Sequence, residues 1–374
     1  GDIVARLGGD EFAIVVRGGV AEASIVATRL LNALEDPVVI DGHELLIHVS
    51  IGIADSDLAR SRVPEDLLRD ADLAMYLAKS SGRNRFVTYT AGVDQAVRQR
   101  AELATDIRRA VEADEFELHY QPVVQGSDGS LVGVEALLRW RHPVRGMVPP
   151  TEFIALAEET GEIRAIGAWV LRTAAAQVAS WRRTLPGCEN LRLAVNLSPV
   201  QMRGDDLVEA VSATLLAAGL APECLTLEVT ESMLLLDLEA ARRQLDALRA
   251  IGVRIAIDDF GTGYSSLSYL SRLPADVVKI DRSFVTDLES NANSSVLVQA
   301  VIDMATALDL DIVAEGVEKL PQQMVLTDLG CPRSQGYLFS PAVPAAEFVT
   351  LVETWPEHSG AVLNPGQEKV RLSL

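Results

Sequence analysis

Apolar and polar positions follow two periods along this chain, and the changes of period mark out its elements. In "ARLGGDEFAIVV", residues 5–16, apolar runs flank a Gly-Gly turn, which predicts a hairpin. "EASIVATRLLNAL" predicts an amphipathic helix, "HELLIHVSIGIAD" a pair of strands, and "PEDLLRDADLAMYLAKSSG" a helix ending at Gly82. Residues 91–115 are polar and helical without apolar bulk on all sides, the pattern of a helix leading from one domain to the next.

From Phe116 the alternation becomes regular. Eight strand-like runs follow: "FELHYQPVV", "LVGVEALLRW", "LRLAVNLS", "LTLEVTES", "RIAIDDFG", "DVVKIDRSF", "DIVAEGV" and "RSQGYLFS". Helical stretches such as "DLVEAVSATLLAAGL" separate most of them, so the α/β pattern is that of a (β/α)8, TIM-like barrel. Only "QGSDGS" joins the first two runs, which suits a hairpin and makes the first strand antiparallel to the second. The expected boundaries are an N-terminal domain at 1–90, a linker helix at 91–104, the barrel at 105–352 and a tail at 353–374.

Composition narrows the partners. With 33 Lys and Arg against 53 Asp and Glu, the net charge of −20 argues against a nucleic-acid polymer as ligand. A small anion remains compatible if cations locally reverse the sign. Cys188, Cys224 and Cys331 show no metal-ligand spacing and read as buried thiols of a reducing compartment. No apolar run has the length of a membrane span. The expected location is the cytoplasm. The chain opens at Gly1 in strand-like sequence, as a piece of a longer protein would, and such a parent could reach a membrane through a region ahead of Gly1.

The chemistry lies at the strand ends. Strands two to eight each offer one polar group near the C-terminal end: Glu135, Asn196, Glu228, Asp258, Lys279, Glu315 and Gln335. Their separations of 61, 32, 30, 21, 36 and 20 residues are βα-unit lengths apart from the first. Barrel active sites are assembled from this rim. With Asp259, five carboxylates face one ammonium, and two divalent cations would neutralise the remaining four charges. Oxygen ligands with one amide and no His or Cys suit Mg²⁺ or Mn²⁺ rather than zinc. Because strand side chains alternate faces, Asp258 and Asp259 cannot both point inward from regular β structure. The chain is expected to leave the strand there, eased by the glycines of "FGTG", with Asp258 bridging two ions and Asp259 holding the outer one.

"EALLRW" (135–140), "NLSP" (196–199), "EVTES" (228–232), "DDFGTG" (258–263), "KID" (279–281), "EGVE" (315–318) and "QGY" (335–337) occur in this order. Together they resemble the signature of EAL-type cyclic-di-GMP phosphodiesterases over roughly 105–352. The resemblance implies hydrolysis of cyclic di-GMP to linear pGpG with two Mg²⁺ or Mn²⁺ per site. It implies Glu135, Asn196, Glu228 and Asp258 as ligands of one ion, and Asp258, Asp259 and Glu315 as ligands of the other. Glu315 is also a general-base candidate, Lys279 would orient the attacking water, and Gln335 would support the site. Glu231 and Glu318 would stand behind the ligands, Glu231 steadying the loop after strand five. Gln121 and Arg139 would contact substrate, Arg139 at a phosphate. His142, beside Pro143, reads as turn structure.

The N-terminal part resembles the second half of a GGDEF, or diguanylate cyclase, domain. Gly8, Gly9, Asp10, Glu11 and Phe12 form the signature loop, and "GRNR" at 82–85 matches a later motif. A glycine-rich hairpin would let backbone approach a nucleotide, and Asp10 could hold Mg²⁺. The family's remaining contacts would lie ahead of Gly1, and Asp2 stands where the Asp of its RxxD product site falls. An upstream sensor domain and a homodimer are expected of the parent. Two other readings are a receptor that binds cyclic di-GMP without cutting it and a parent that mainly synthesises it. A lost metal ligand would mark the receptor, and none is missing here.

Overall fold

The computed structural model describes residues 2–34, 38–40, 43–45, 47–56, 63–82, 84–231, 233, 238–261, 273–289 and 292–355. It divides into two compact units, Gly1–Arg108 and Arg109–Leu374.

In the first unit, β1 (Ile3–Gly8) and β2 (Glu11–Val15) form the antiparallel hairpin expected from the sequence, turning at Gly9 with φ +53°. Helix α1 (Val20–Ala33) follows, then β3 (Val38–Ile40) paired with β4 (His43–Leu45). The strand pair read in "HELLIHVSIGIAD" is corrected. β4 and β5 (Ser50–Ile53) both form but take other partners, β5 lying parallel to β6 (Arg85–Thr88). β6 is four residues long, too short to carry a period of its own. Helix α2 (Pro64–Ser80) sits directly on β5, and a Cβ at Gly52 would come within 1.9 Å of the Ala71 carbonyl oxygen. Helix α3 (Ala91–Ala110) is shorter than the 91–115 expected, ending before Asp114, which takes φ +52°.

In the second unit, eight described strands close a barrel. They are β7 (Phe116–Gln125), β8 (Leu131–His142), β10 (Arg192–Asn196), β11 (Leu225–Thr230), β12 (Arg254–Phe260), β13 (Val277–Ile280), β14 (Asp311–Ala314) and β15 (Arg333–Gln335). β7 is antiparallel to both neighbours, β8 and β15, and the remaining contacts around the ring are parallel, as the short "QGSDGS" turn required. Two short strands flank it: β9 (Gly146–Val148) on β8 and β16 (Val343–Pro344) on β7.

Strand alternation sorts the barrel side chains. Leu193, Val195, Leu225, Leu227, Val229, Ile255 and Ile257 are buried outside the ring, beneath the helices. The described helices of this unit are α4 (Pro150–Thr160), α5 (Ile163–Thr184), α6 (Pro199–Met202), α7 (Leu207–Ala218), α8 (Leu238–Ala250), α9 (Arg282–Thr286), α10 (Ala292–Ala307), α11 (Leu320–Asp328) and α12 (Ala345–Glu353). Burial of this apolar layer, at about 25 cal/mol per Å² of apolar surface, is the main stabilising term. Inside the ring the residues at mid-height are small or apolar, with Val123, Ala256, Val277 and Val313 in contact.

The three cysteines are free and buried, and burial pushes the Cys331 thiol up to about 12 and the Cys188 thiol up to about 11. Among the described residues no helix is long and apolar enough to cross a membrane.

Candidate active site

At the C-terminal rim of the barrel the Lys279 ammonium stands among four carboxylates. Its Nζ lies 2.5 Å from Glu315 Oε1, 2.8 Å from Glu228 Oε2, 3.3 Å from Asp258 Oδ1 and 3.5 Å from Glu135 Oε2. The Lys279 side chain is 3 % exposed. Burial alone would lower its pKa, and the four carboxylates reverse that, raising it well above the ordinary lysine value.

Glu135 is fixed from both sides. Asn196 Nδ2 donates to its Oε1 at 2.7 Å, and Gln335 Nε2 donates to its Oε2 at 2.6 Å. Gln335 Nε2 also donates to Gln121 Oε1 at 3.0 Å, while Gln121 donates to the Ser340 carbonyl at 3.2 Å. Two amides, Gln121 and Gln335, thus tie the antiparallel first strand to the last, and Asn196 ties the second to the third. Register explains their meeting: Gln121 is opposite Glu135 across β7–β8, and Asn196 is opposite Glu228 across β10–β11.

The aspartate pair departs from the expected exit. β12 continues through both residues to Phe260, and the distortion is a bulge in its pairing with β13 between Ile257 and Phe260. Asp259 itself adopts φ +52°, left-handed backbone that Asp tolerates better than most residues. The bulge leaves Asp258 buried and Asp259 exposed, with the Asp259 N–H donating to Asp258 Oδ1 at 3.1 Å. Asp258, Asp259 and Glu315 can bring oxygens within 4.8 Å of one another, a grouping able to hold a metal ion.

Charge supports a cation here. Burial, then the negative charge of Glu135, pushes the Glu228 carboxyl well above its ordinary range, and Lys279 offsets only part of that. Burial with Asp258 and Glu135 pushes Glu315 up to about 8, against the pull of Lys279. One ammonium is therefore too little positive charge for this cluster, and the all-oxygen donor set fits a hard divalent ion.

The remaining expected residues are placed as follows. Glu231 is buried, and among the described residues neither of its carboxylate oxygens has a hydrogen-bond partner. The loop it was expected to steady, after Gly261, lies outside the described residues up to Leu273. Glu318 is exposed, and its backbone N–H is held by Gln322 Oε1 at 2.9 Å rather than by the cluster. Arg139 is half-buried and donates to the Leu138 carbonyl at 2.9 Å. His142 Nδ1 accepts the Val144 and Arg145 N–H groups at 3.1 Å, which is turn structure. In the N-terminal unit Gly8, Gly9, Asp10, Glu11 and Phe12 are all exposed on the β1–β2 turn, where Arg6 donates to the Gly9 carbonyl at 2.6 Å and covers the Phe12 ring. In "GRNR", Arg83 lies outside the described residues.

Gly336 is a residue the sequence pattern did not single out for its own sake. A Cβ there would lie 2.1 Å from the Val317 carbonyl oxygen and 2.3 Å from its nitrogen, backbone atoms that cannot yield. The Val317 N–H donates to the Gln335 carbonyl at 3.1 Å, so the glycine sets the "QGY" segment against the one carrying Glu315. Gly336→Ala is expected to shift both segments. Turnover should fall by about a hundredfold, the order associated with a 1 Å misplacement, and stability by about 1–3 kcal/mol from overpacking. Steady-state kinetics beside thermal melts check this, and unchanged turnover would show that the approach has slack.

The fold and this rim define a class: a TIM-like barrel with a carboxylate-rich, cation-seeking centre at the C-terminal ends of its strands. The chain belongs to the EAL domain family, whose model matches residues 104–342. The model for the diguanylate cyclase, GGDEF domain matches residues 1–85. Over 352 residues the chain is 42% identical to the bifunctional diguanylate cyclase/cyclic di-GMP phosphodiesterase MucR of Pseudomonas aeruginosa, covering 94% of this chain and 51% of that protein. It is 40% identical over 350 residues to the cyclic di-GMP phosphodiesterase NbdA of the same organism, covering 92% of this chain and 44% of that one. The chain thus spans about half the length of these curated relatives. The solved PaMucR phosphodiesterase in complex with c-di-GMP is 46% identical, covers 66% of this chain and 99% of its own, and superposes with a TM-score of 0.63.

Proposed function

We propose that this chain hydrolyses one phosphodiester bond of cyclic di-GMP to give linear pGpG. The observation that carries the reading is the convergence of Glu135, Glu228, Asp258 and Glu315 on Lys279 at the rim, with Asn196 and Gln335 clamping Glu135. Glu135, Asn196, Glu228 and Asp258 would hold one divalent ion, and Asp258, Asp259 and Glu315 a second. Such ions, Mg²⁺ or Mn²⁺, stabilise the oxygens of an in-line phosphoryl displacement. Lys279 orients the attacking water. Glu315 takes its proton as general base. Gln335 keeps Glu135 and Gln121 in place, Glu231 and Glu318 support the ligand loops, and Arg139 and Gln121 meet the substrate.

The test is incubation of the purified chain with cyclic di-GMP and Mg²⁺, followed by separation of products. Appearance of pGpG supports the reading, and saturable binding without product would favour a receptor. Ca²⁺ in place of Mg²⁺ is expected to abolish turnover, because the larger ion prefers looser, higher-coordinate shells. Undiminished turnover in excess chelator would sink the two-ion reading.

The same reading takes 1–90 as a GGDEF-type domain, 91–104 as linker helix, 105–352 as the phosphodiesterase barrel and 353–374 as tail. It also takes the parent as a cytoplasmic homodimer with an upstream sensor.

A further inference from the structure

The inward side chains of the barrel form three layers. The candidate site is one, and the small and apolar residues at mid-height are the second. The third, at the N-terminal ends of the strands, contains Arg192, Thr226, Arg254, Asp311 and Arg333. A cavity of about 60 Å³ runs through the middle layer, its lining reaching from Arg192, Arg254 and Arg333 to Glu228, Lys279 and Gln335.

Three guanidiniums share one carboxylate in this third layer. Arg254 Nη2 pairs with Asp311 Oδ2, Arg333 Nη1 lies 3.1 Å from Oδ1, and Arg192 Nη1 lies 3.8 Å from Oδ2. Burial pushes the Asp311 carboxyl up, and the bonds from Arg254 and Arg333 more than reverse it. Asp276, alongside, is already matched by Arg249 at 2.8 Å and accepts the Ile255 N–H at 2.9 Å. Among the described residues, and with the Arg249–Asp276 pair set aside as matched, the mouth therefore holds three positive charges against one negative. Arg192 has no hydrogen-bond partner among the described residues, and its side chain is 46% exposed. Burial and the charges of Arg254 and Arg333 hold its pKa below the ordinary arginine value.

The Arg254 and Arg333 side chains are only 20% and 22% exposed, so a network that merely closed the barrel floor would need matched charge around them, because unpaired buried ions are costly. This one keeps a surplus of two positive charges in a chain whose net charge is −20. Guanidinium forks suit tetrahedral oxyanions, which they can bind through two parallel N–H bonds. We propose that the N-terminal mouth of the barrel binds a phosphate-type dianion, with Arg192 as principal donor and Arg254 and Arg333 flanking it. Inorganic phosphate and the phosphomonoester end of a nucleotide share this chemistry. The site lies at the end of the barrel away from the carboxylate cluster and does not depend on the phosphodiesterase reading.

The test is calorimetric titration of the full chain in chelator at constant ionic strength, with inorganic phosphate and separately with GMP. Saturable binding of phosphate is expected, weakened by about tenfold or more in Arg192→Gln and Arg333→Gln, in line with the loss of a charge-assisted bond. Arg242→Gln, on an exposed face of α8, should leave the affinity unchanged. Binding of GMP with the same arginine dependence would identify a phosphomonoester as the ligand, and binding of phosphate alone the free anion. Circular dichroism confirms that each variant is folded, and Arg192, half-exposed and without hydrogen bonds, is the one least able to disturb the fold. Absence of saturable phosphate binding, or equal affinity in folded Arg192→Gln, overturns the proposal. So does a loss in Arg242→Gln that Arg192→Gln does not share, since the anion would then sit away from the mouth.

Discussion

Asp258→Asn should yield a folded protein whose turnover of cyclic di-GMP falls by about 10²–10⁴. The substitution keeps the side-chain shape, and the Asn oxygen can still accept the Asp259 N–H. It removes a full negative charge from a carboxylate that faces Lys279 at 3.3 Å and belongs to the grouping with Asp259 and Glu315. If that charge anchors divalent ions, roughly 3–5 kcal/mol of transition-state stabilisation is lost, which is the stated range at 1.36 kcal/mol per decade. Stability should be unchanged or raised, because a crowded negative cluster loses one of its members. Kinetics and melting curves measured on the same preparation decide the matter. Turnover within a few-fold of wild type would mean that Asp258 anchors nothing, and an unfolded variant would make the aspartate pair structural.

Lys279→Met is expected to act on the fold as well as on activity. The methionine can fill the space but leaves Glu135, Glu228, Asp258 and Glu315 without their buried cation. Breaking a buried pair from one side typically costs about 3–5 kcal/mol. The deficit in chelator should grow as pH rises, because the carboxyls, no longer held down by Lys279, relieve it by taking up protons at lower pH. Adding Mg²⁺ should recover part of it, since a ligand at a hundred times its Kd stabilises the native state by about 2.7 kcal/mol. Denaturant melts with and without Mg²⁺ measure both terms. A variant as stable as wild type in chelator would show that the carboxylates tolerate one another unaided.

Much of this site was legible because a barrel puts chemistry at one predictable place on each strand. The βα spacing of Glu135, Asn196, Glu228, Asp258, Lys279, Glu315 and Gln335 needed only the strand pattern to become a rim. The antiparallel first strand followed from the length of one turn. The bulge at Asp258–Asp259 was not legible, because nothing in the local pattern separates a bulge from a strand end and the pairing with β13 decides between them. Gly336 is important only for what lies opposite it, Val317, and that contact is tertiary. Arg192, Arg254 and Arg333 open separate strands and read singly as polar flanks. Only ring closure brings them around Asp311.

The antiparallel first strand also governs when the catalytic rim can exist. β7 is made first among the barrel strands, yet one edge stays open until β15, made last, pairs through Ser334 opposite Val124. The hydrogen bonds that the Gln335 amide donates to Glu135 and Gln121 span 200 and 214 residues of chain. Contacts of such separation raise the contact order and slow folding, since the loop-closure entropy comes before the reward. During vectorial synthesis, a nascent chain that has not yet emerged through Gln335 holds a rim without its clamp and a strand without its partner. On the phosphodiesterase reading, a translation product ending short of the final strand would lack the Gln335 clamp on Glu135 and is expected to be inactive.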